Sequence, residues 1–373
     1  MVRERQIPSV ILTVSNDLTA DQRLYKTCLT FLKAGYQVHV VGRKMADSHA
    51  FRPKGYDSTR LNLLFSKGPL FYAELNIRLF FLLLVFDADV FYSNDLDTLP
   101  ANFLASRLRR KKLIYDSHEY FTEVPELQGR KLVQRIWGWL ERLMLPHVKH
   151  SFTVCESVAN EYHKKYGISM QVMRNCPLAA SYSMDEDVYD PGRKIVIYQG
   201  ALNKGRGLEV LIEAMPYVPE AQLWIFGGGD LEKELKKMAN EGRICNQITF
   251  YGKLPFQQLR EYTRQGTLGV SLEENLGLNY YYALPNKLFD YVHAGVPVLV
   301  SPFPEMSRIV DEYGVGAKAS YAGAQELAIQ LRGLLDDAGR LEQWHRQCLR
   351  VAGGLTWEQE EVKLLQLLKQ WSV

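Results

Sequence analysis

The sequence predicts an α/β protein with two domains, each built around a doubly wound parallel sheet. The chain has 373 residues, which suits two domains of roughly 150 residues each with their connections. Short apolar runs of strand length alternate with longer helical segments, and this pattern occurs in each half of the chain. Between the halves, residues 181–193 form an acidic stretch ending near Pro191-Gly192, which is typical of a linker. The hydrophobic fraction of 47% is sufficient for two cores.

The first half begins with a β-α-β unit. An apolar run at 10–14 has the length of a buried strand, and a helix is predicted over 21–34, ending at Gly35. The next strand is predicted at 38–42. Three further strands are predicted in this half, with helices between them: 89–92, 112–115 and 151–154.

The second half repeats the same alternation of strands and helices. The predicted domains are 1–180 and 194–353, followed by a C-terminal segment, 354–373, with an amphipathic helix at 357–371. Ligands of doubly wound sheets bind outside the carboxyl ends of the strands, so we expect a site in a cleft between the two lobes. Five strands are predicted in the second half: 194–198, 223–226, 248–251, 268–271 and 296–300.

Charge, cysteine content and hydropathy exclude several classes of protein. The net charge of +3 is too small to indicate a nucleic-acid partner. The five cysteines are odd in number and lack metal-ligand spacing, which is typical of free thiols in a reducing compartment. No signal peptide is predicted, because the apolar stretch that begins at Ile7 is interrupted at Asn16. The most apolar window, 79–86, is too short to span a bilayer and is predicted to be a core helix of a cytoplasmic protein.

A short helix near residue 290 carries the most informative pattern in the chain. Pro285 suits the first helical position and Gly295 suits the end of the helix. The unpaired N–H groups at the helix start, together with Asn286 and Lys287, favour a phosphate. Asp290 lies four residues after Asn286, near the same helix face, where its carboxylate suits the two hydroxyls of a ribose. An anion site and a diol site one turn apart predict a nucleotide diphosphate.

A second basic motif follows the first strand of the second half. Glycines at 200, 205 and 207 relax the backbone there, and Lys204 and Arg206 place two cations at the start of the next helix. A diphosphate leaving group needs positive charge where its own negative charge develops. We therefore predict that Lys204 and Arg206 bind the diphosphate of the nucleotide.

Segments 198–209 and 284–300 together resemble the signature of the family-four retaining glycosyltransferases. These enzymes have the GT-B fold, in which two Rossmann-like lobes face a cleft and the last helix crosses back to the first lobe. In the family, an acidic residue on a short helix ending in Ala-Gly-x-Pro-Val binds the donor ribose, and Asp290 stands at that position. Arg206 stands at the family's lysine position. The resemblance spans nearly the whole chain and is strongest from 195 to 316.

The sequence departs from the family pattern at two positions of the donor site. Tyr282 stands where the family has an acidic residue that contacts the donor sugar, and Ala201 replaces an arginine that usually follows the strand glycine. Glu274, Asn275 and Asn279 in the preceding loop are candidates to replace the acidic contact. Lys204 is the candidate for the missing phosphate cation.

The same resemblance assigns four further residues. Gly228 and Gly229 belong to a glycine-rich turn near the nucleotide, and Lys253 follows a turn that frames the base. In the first lobe, His118 lies in a polar cluster at the end of a predicted strand and resembles the family's histidine that faces the donor sugar. We expect it to bind a sugar hydroxyl or to assist proton transfer.

The turns of the first lobe are predicted to lie on the acceptor side. Asn16, Asp17 and Arg23 crowd the first strand-to-helix turn, where the family often has a glycine pair that admits the donor phosphate. Because that pair is missing, we expect this turn to contact the acceptor. Glu123, on a later loop, is a further candidate for the acceptor channel.

Two Asp-x-Asp sequences resemble the metal-binding pairs of single-lobed glycosyltransferases. The pair at 87–89 precedes a strand. In addition, cationic side chains are already predicted to bind the phosphates of the donor. We therefore expect Asp95 and Asp97 to line the cleft or cap a helix. No metal ion and no cofactor besides the nucleotide-sugar substrate are expected.

A helix predicted at 130–144 combines tryptophans with basic residues. Such a helix rests on a membrane surface in some proteins and is a half-buried element of the domain in others. Both interpretations stay open, and the first implies peripheral contact with the inner membrane surface.

The sequence thus predicts an enzyme of hexosyltransferase type that uses a UDP- or GDP-sugar and a glycan or lipid-linked acceptor. The resemblance implies retention of anomeric configuration, a role in assembling bacterial surface polysaccharide, and roles in the reaction for His118 and Arg206. A nucleotide-sugar epimerase of the same architecture and a non-catalytic two-lobed binding protein remain as alternatives. The first strand-to-helix turn lacks a G-x-G-x-x-G sequence, which argues against a nicotinamide dehydrogenase.

Overall fold

The computed structural model divides the chain into two compact units. The first unit comprises Met1–Asn175 and Glu360–Val373, and the second comprises Cys176–Gln359. The structure describes residues 7–19, 21–45, 48, 51, 55–124, 127–179, 188–242 and 246–371.

The first unit contains a seven-stranded parallel sheet in the order β3-β2-β1-β4-β5-β6-β7. Its strands are β1 Ser9–Thr13, β2 Gln37–Arg43, β3 Asp57–Leu61, β4 Val90–Asn94, β5 Lys112–Ser117, β6 His150–Thr153 and β7 Gln171–Val172. The helices between them are α1 Gln22–Lys33, α2 Gly68–Val85, α3 Leu99–Arg109, α4 Lys131–Met144 and α5 Glu156–Tyr166. The strand order reverses between β1 and β4, and such a switch point is where doubly wound sheets bind ligands.

The second unit contains a six-stranded parallel sheet in the order β10-β9-β8-β11-β12-β13. Its strands are β8 Ile195–Gln199, β9 Gln222–Phe226, β10 Ile248–Gly252, β11 Leu268–Ser271, β12 Val298–Val300 and β13 Gly316–Lys318. Its helices are α6 Leu208–Ala214, α7 Glu232–Glu241, α8 Phe256–Thr263, α9 Leu278–Tyr281, α10 Asn286–His293, α11 Pro304–Tyr313, α12 Ala324–Leu335, α13 Ala338–Ala352 and α14 Trp357–Glu360. Here the order reverses between β8 and β11, at the point where β8 leads into the Lys204–Arg206 turn.

The C-terminal helix α15, Val362–Trp371, packs on the first unit. The carboxylate of Glu361 accepts hydrogen bonds from the Thr30 hydroxyl and the Lys33 ammonium group of α1. The ammonium group of Lys112 lies 4.6 Å from the ring centroid of Trp371. The C-terminal segment of the chain therefore completes the first unit.

The predicted single helix at 357–371 is in fact two helices, α14 and α15. The break falls at Glu361, next to Glu360, and both side chains are buried. Glu360 accepts hydrogen bonds from the backbone N–H (2.9 Å) and the Nε (2.7 Å) of Arg174. The helix is interrupted where these two adjacent carboxylates bind different partners of the first unit.

The chain passes from the first unit to the second after Asn175 and returns after Gln359, whereas the predicted domains end at residues 180 and 353. The backbone N–H of Trp357 donates to the carbonyl of Pro177 (2.7 Å). This hydrogen bond joins the two segments next to these divisions, and both segments belong to the second unit. Residues 181–187 of the predicted linker lie outside the described residues. Within the rest of that linker, the Tyr189 ring stacks on His345 at 4.1 Å, so this part packs on the second unit.

Helix α2 is unusually apolar for the first unit. Among the described residues, α2 is the helix that is long and apolar enough to cross a membrane. In the structure, 22% of this 18-residue segment is buried. The buried side chains, Phe71, Leu75, Leu79 and Leu83, recur every four residues and pack in the core. One face of α2 therefore belongs to the core, while much of its remaining surface is exposed.

Candidate functional site

A cluster of charged side chains lies at the carboxyl ends of β4 and β5 in the first unit. Arg23 of α1 donates from Nε and a terminal nitrogen to the two carboxylate oxygens of Asp116, at 2.9 and 2.6 Å. Its other terminal nitrogen donates to the carbonyl of Met173 at 2.7 Å. Burial alone would raise the pKa of Asp116, but Arg23 and His118 hold this pKa well below its ordinary value. Arg23 was predicted on the acceptor side, and the structure places it as the buried partner of Asp116.

His118 connects Asp116 to Asp95. Its Nε2 lies 3.3 Å from Asp116 Oδ2 and its Nδ1 lies 3.5 Å from Asp95 Oδ2, while its backbone N–H donates to Asp95 Oδ1 at 2.8 Å. Burial lowers the pKa of His118, but the charges of Asp95 and Asp116 outweigh burial and raise this pKa to about 9. The side chain keeps 17% of its surface exposed. At neutral pH, His118 is therefore a charged hydrogen-bond donor rather than a base.

Asp95 and Asp97 lie just after β4, between this strand and α3. Asp95 adopts a left-handed backbone conformation (φ 58°), which is uncommon for a residue other than glycine. Burial raises the pKa of each carboxyl to about 6, with the charge of His118 acting in the opposite direction. Among the described residues, no group of three or more His, Cys, Asp or Glu side chains is arranged to hold a metal ion.

The remaining first-unit candidates lie in connecting segments: Asn16 and Asp17 between β1 and α1, and Glu123 in a short 3₁₀ helix after β5. Asp17 accepts hydrogen bonds from the backbone N–H and hydroxyl of Thr19, at 2.9 and 2.7 Å, and pairs with Arg60 at 2.5 Å. Although burial opposes this, a hydrogen bond from the Ser48 hydroxyl and these contacts with Thr19 and Arg60 hold the pKa of Asp17 well below its ordinary value, so it stabilises the turn as a carboxylate. The neighbouring Asn16 is exposed. Glu123 is half-buried and accepts from Gln134 at 3.2 Å.

In the second unit, the turns after β8, β9, β10 and β11 are bonded to one another. The N–H of Leu202 donates to the carbonyl of Gly228 at 3.2 Å, and the N–H of Glu274 donates to the carbonyl of Gly205 at 2.9 Å. A Cβ at Gly229 would lie 2.5 Å from Asn203 Oδ1, so the turns approach too closely for any larger residue. The glycine-rich motifs found in the sequence are therefore neighbours in the fold.

Glu273 lies at the centre of this group of turns, and sequence reasoning missed it. Its carboxylate is buried and lies 2.9 Å from Lys287 Nζ and 3.6 Å from a terminal nitrogen of Arg206. The hydroxyl of Ser271 donates to its other oxygen at 2.7 Å. Burial alone would raise the pKa of Glu273, but the two cations lower it. The neighbouring Glu274, which the sequence suggested instead, is exposed.

The two cations beside Glu273 differ in their exposure. Arg206 keeps 28% of its side chain exposed, whereas Lys287 keeps 7%. Burial lowers the pKa of Lys287, with Glu273 opposing this. Lys204, two residues before Arg206, is exposed and adds a further positive charge at the surface. Glu273, Arg206 and Lys287 together carry one net positive charge, and this suits an incoming anion.

Asp290 faces the end of β8. Its Oδ2 accepts from Gln199 Nε2 at 3.1 Å, and Gln199 in turn accepts from the Thr263 hydroxyl at 2.9 Å. The next residue of α10, Tyr291, accepts from the backbone N–H of Gln199 at 3.0 Å, which fixes the helix against the strand. Asn286, one turn earlier on α10, is exposed. The helix start and Asp290 thus lie beside the reversal between β8 and β11.

The remaining donor-side candidates lie next to these groups. Lys253 is exposed, and a Cβ at Gly228 would lie 3.0 Å from its Cε, so the two predicted base-side turns touch. Tyr282, at the end of α9, is half-buried, with its ring 5.3 Å from that of Tyr281. Among the predicted candidates of the second unit, Lys204, Lys253, Glu274, Asn275 and Asn286 are exposed, and Arg206, Asn279 and Asp290 are half-buried.

Two family models match the chain, one in each half. Residues 21–176 match the model described as Glycosyltransferase Family 4, and residues 184–348 match the model described as Glycosyl transferases group 1. No protein with a curated description matches the chain in sequence.

Several solved structures are similar to the chain over nearly their full length. Sucrose-phosphate synthase from Thermosynechococcus elongatus has a TM-score of 0.80 at 16% identity, covering 98% of this chain and 99% of that one. HepE from Anabaena, in complex with UDP-glucose, has a TM-score of 0.73 at 14% identity, covering 97% and 99%. WaaG, a glycosyltransferase involved in lipopolysaccharide biosynthesis, has a TM-score of 0.67 at 12% identity, covering 95% and 99%. These similarities confirm the two-lobed, Rossmann-like GT-B fold that the sequence predicted.

Proposed function

We propose that the chain is a glycosyltransferase that transfers a hexose from a UDP- or GDP-sugar to a glycan or lipid-linked acceptor, because each of its halves matches a glycosyltransferase family model and its fold is GT-B. The observation that carries this proposal is the net positive Glu273–Arg206–Lys287 cluster, which lies beside Asp290 in the second unit. An anion site next to a diol-binding carboxylate is the arrangement that a nucleotide diphosphate requires.

Arg206, Lys204 and the start of α10 at Asn286 bind the donor diphosphate in this proposal. Arg206 is the cation that combines exposure with a fixed position, because Glu273 holds its guanidinium from the interior. Lys287 acts from the interior. Its positive charge offsets the negative charge of Glu273, so the positive charge of Arg206 can act on the phosphates. As the bond to the sugar breaks, these positive charges stabilise the departing diphosphate, so no metal ion is needed.

Asp290 binds the ribose of the donor. Gln199 orients the carboxylate by donating to Oδ2, which holds the side chain in place for the ribose hydroxyls. The turns that contain Gly228, Gly229 and Lys253 lie on the side of the base. HepE is described in complex with UDP-glucose, which supports a uridine nucleotide as the first donor to test.

His118 presents a positive charge to a hydroxyl of the sugar, while its two ring nitrogens face Asp95 and Asp116. Its raised pKa argues against the role of general base, and this agrees with a retaining reaction. In that reaction the departing phosphate takes the proton of the acceptor hydroxyl on the face that the leaving group vacates. The acceptor oxygen forms the new bond to the anomeric carbon, and the bond from that carbon to the diphosphate breaks.

We place the reaction in the cytoplasm, in the assembly of a surface polysaccharide, because nucleotide sugars are the donors. The description of WaaG as an enzyme of lipopolysaccharide biosynthesis supports this setting.

The test is incubation of the purified chain with UDP- and GDP-hexoses labelled with ¹³C at the anomeric carbon. Candidate lipid-linked and glycan acceptors are supplied, and proton-coupled NMR reads the product. We expect a new glycoside with the donor's anomeric configuration, formed at an unchanged rate in the presence of a chelator. An inverted product would contradict retention, and conversion of the donor to an epimer without acceptor would favour the epimerase alternative. Binding of the donor without turnover on any acceptor would favour the non-catalytic alternative.

A further inference from the structure

The outer surface of α4 in the first unit carries a line of exposed apolar side chains. Leu132, Ile136, Trp139 and Leu143 are each between 50% and 71% exposed. Their spacing of four, three and four residues places them along one face of the helix. Large apolar residues that are contiguous and exposed mark a surface that contacts something apolar.

The charges that flank this apolar line are all positive. Arg130, Lys131, Arg135 and Arg142 are exposed, and none of them forms an ion pair within the described part of the chain. The only acidic residue of α4, Glu141, points inward. It is fully buried and accepts a hydrogen bond from the Tyr166 hydroxyl at 2.6 Å. The exposed surface of α4, together with Arg130 just before the helix, therefore combines four positive charges with an apolar line, and α4 exposes no negative charge.

The inner face of α4 fixes the helix in this orientation. Trp137, Glu141 and Met144 are the buried residues of the helix. The Trp137 ring makes edge-on contacts, with centroid distances of 5.1 Å, to Tyr72 of α2 and to Phe121. Because these contacts occupy the opposite face, the apolar line cannot turn inward without unpacking the unit.

Helix α2, which touches α4 through Tyr72, has an exposed apolar line of its own. Leu70, Ile77, Phe81 and Val85 are between 58% and 84% exposed and again recur at helical spacing. The buried face of α2 packs in the core through Leu75 and Leu79, so the four exposed residues take no part in core packing.

We infer that the outer face of α4, extended by α2, docks on the surface of an anionic lipid bilayer. A helix with tryptophan and leucine on one side and arginine and lysine beside them lies in the plane of the interface, with its apolar side chains at the level of the acyl boundary. The basic side chains reach the lipid phosphates. A second copy of this chain is a poorer partner, because a two-fold contact would bring the same four positive charges together. This inference goes beyond the proposed sugar transfer and does not rest on it.

Co-sedimentation with lipid vesicles tests this inference. Wild-type protein is mixed with phosphatidylcholine vesicles that contain or lack phosphatidylglycerol, at low and at high salt. We expect binding to the anionic vesicles that weakens with salt, and little binding to phosphatidylcholine alone. Two double variants separate the contributions of the apolar and basic groups: Trp139→Ser with Leu143→Ser, and Arg135→Glu with Arg142→Glu. Each is expected to weaken partitioning by at least about tenfold.

Matched changes elsewhere serve as controls. Ile329→Ser removes an equally exposed aliphatic side chain from α12, and Lys233→Glu reverses an exposed charge on α7. Both controls should bind anionic vesicles as the wild type does. Circular dichroism and thermal unfolding of each variant show that it is folded, because these changes lie outside the cores.

Two results would overturn the inference. One is equal binding to anionic vesicles by the wild type and both double variants. The other is self-association of the wild type on gel filtration that the Trp139→Ser/Leu143→Ser variant loses, with no vesicle binding, since that result would identify a second copy as the occupant.

Discussion

The two units have the same parallel, doubly wound architecture but opposite charges at the carboxyl ends of their strands. In the first unit, Asp95, Asp97 and Asp116 surround His118, and the buried Arg23 neutralises only part of this negative charge. In the second unit, a single buried carboxylate, Glu273, holds two cations. The same scaffold thus presents a protonated histidine, His118, in the first unit and an anion-binding surface in the second.

The outer surfaces of the two units differ as well. Of the 21 large apolar residues exposed among the described residues, sixteen belong to the first unit and five to the second. The second unit thus has few exposed apolar side chains, and its candidate functional residues lie at the ends of its strands. The first unit has, in addition, an apolar and basic outer face on α2 and α4.

The largest expected effect concerns the buried ion pair that each unit contains. Asp116→Ala leaves the guanidinium of Arg23 buried without its carboxylate, and Glu273→Ala leaves the ammonium group of Lys287 in the same state. Each change is expected to lower the free energy of unfolding by about 3–5 kcal/mol, measured by urea denaturation. Asp311→Ala, which removes an exposed partner of Lys318, is the control and should cost less than about 1 kcal/mol. Losses below about 1 kcal/mol at both buried sites would contradict the comparison.

The next effect separates the two cations of the second unit. Arg206→Ala should weaken UDP binding by about 1–3 kcal/mol, because a charge-assisted hydrogen bond to the diphosphate is lost, while stability changes little. Lys287→Met should act in the opposite way and lower stability, because Glu273 is then buried without its closest cation. Calorimetric titration and urea denaturation of both variants check this. Equal effects of the two changes on binding and on stability would contradict the distinct roles.

The third effect concerns pH and belongs to the first unit. The folded-state pKa of His118 is raised to about 9, above the ordinary value of 6.5, so its protonation stabilises the folded state. That stability is fully present below pH 6.5 and is lost as the pH rises through about 9. The difference in unfolding free energy between the wild type and His118→Gln should therefore shrink over this window, by on the order of 2 kcal/mol. A difference that is constant with pH would contradict it.

A variant of Asp95 sharpens the pH prediction. Asp95→Asn keeps the shape of the residue but removes one of the two charges that raise the pKa of His118. NMR titration of the His118 ring should give a lower pKa in this variant than in the wild type. An unchanged pKa would assign the whole shift to Asp116.

The last prediction tests the close approach of the second-unit turns. Gly229→Ala places a Cβ 2.5 Å from Asn203 Oδ1 and should destabilise the protein by about 1–3 kcal/mol. Gly333→Ala in α12 is the matched control, because its Cβ meets nothing within 4 Å and alanine favours the helix by about 0.5–1 kcal/mol. Thermal unfolding of both variants should show shifts of opposite sign.

The sequence predicted the central strands of both sheets but missed three strands. The central strands are buried on both sides and therefore read as apolar runs, such as 10–14 and 296–300. The missed strands are β3, β7 and β13, which lie at or next to sheet edges and are short or polar, as Asp57–Leu61 shows. Only pairing with a neighbouring strand makes such segments regular, and a single sequence does not display that pairing.

For the candidate site, sequence reasoning found the turns but not their ion pairs. The glycines, Arg206 and Asp290 were recognisable because their spacing is local. Arg23 and Asp116 are 93 residues apart in the chain, and no local pattern indicates that they meet. Glu273 had one usable signal, its place directly after a buried strand, but the adjacent Glu274 shared that signal, and only packing decides which carboxylate points inward.

Calorimetric titration of the second-unit cluster with UDP and GDP, with and without a divalent cation, tests the central claim most directly. Asp290→Ala is titrated beside the wild type, and Asp311→Ala on the neighbouring helix α11 serves as the matched control. We predict metal-independent binding of one nucleotide by the wild type and the control, and binding weaker by about 1–3 kcal/mol in Asp290→Ala. No binding of either nucleotide by the wild type, or equal binding by all three proteins, would contradict the assignment of the cluster as the donor site.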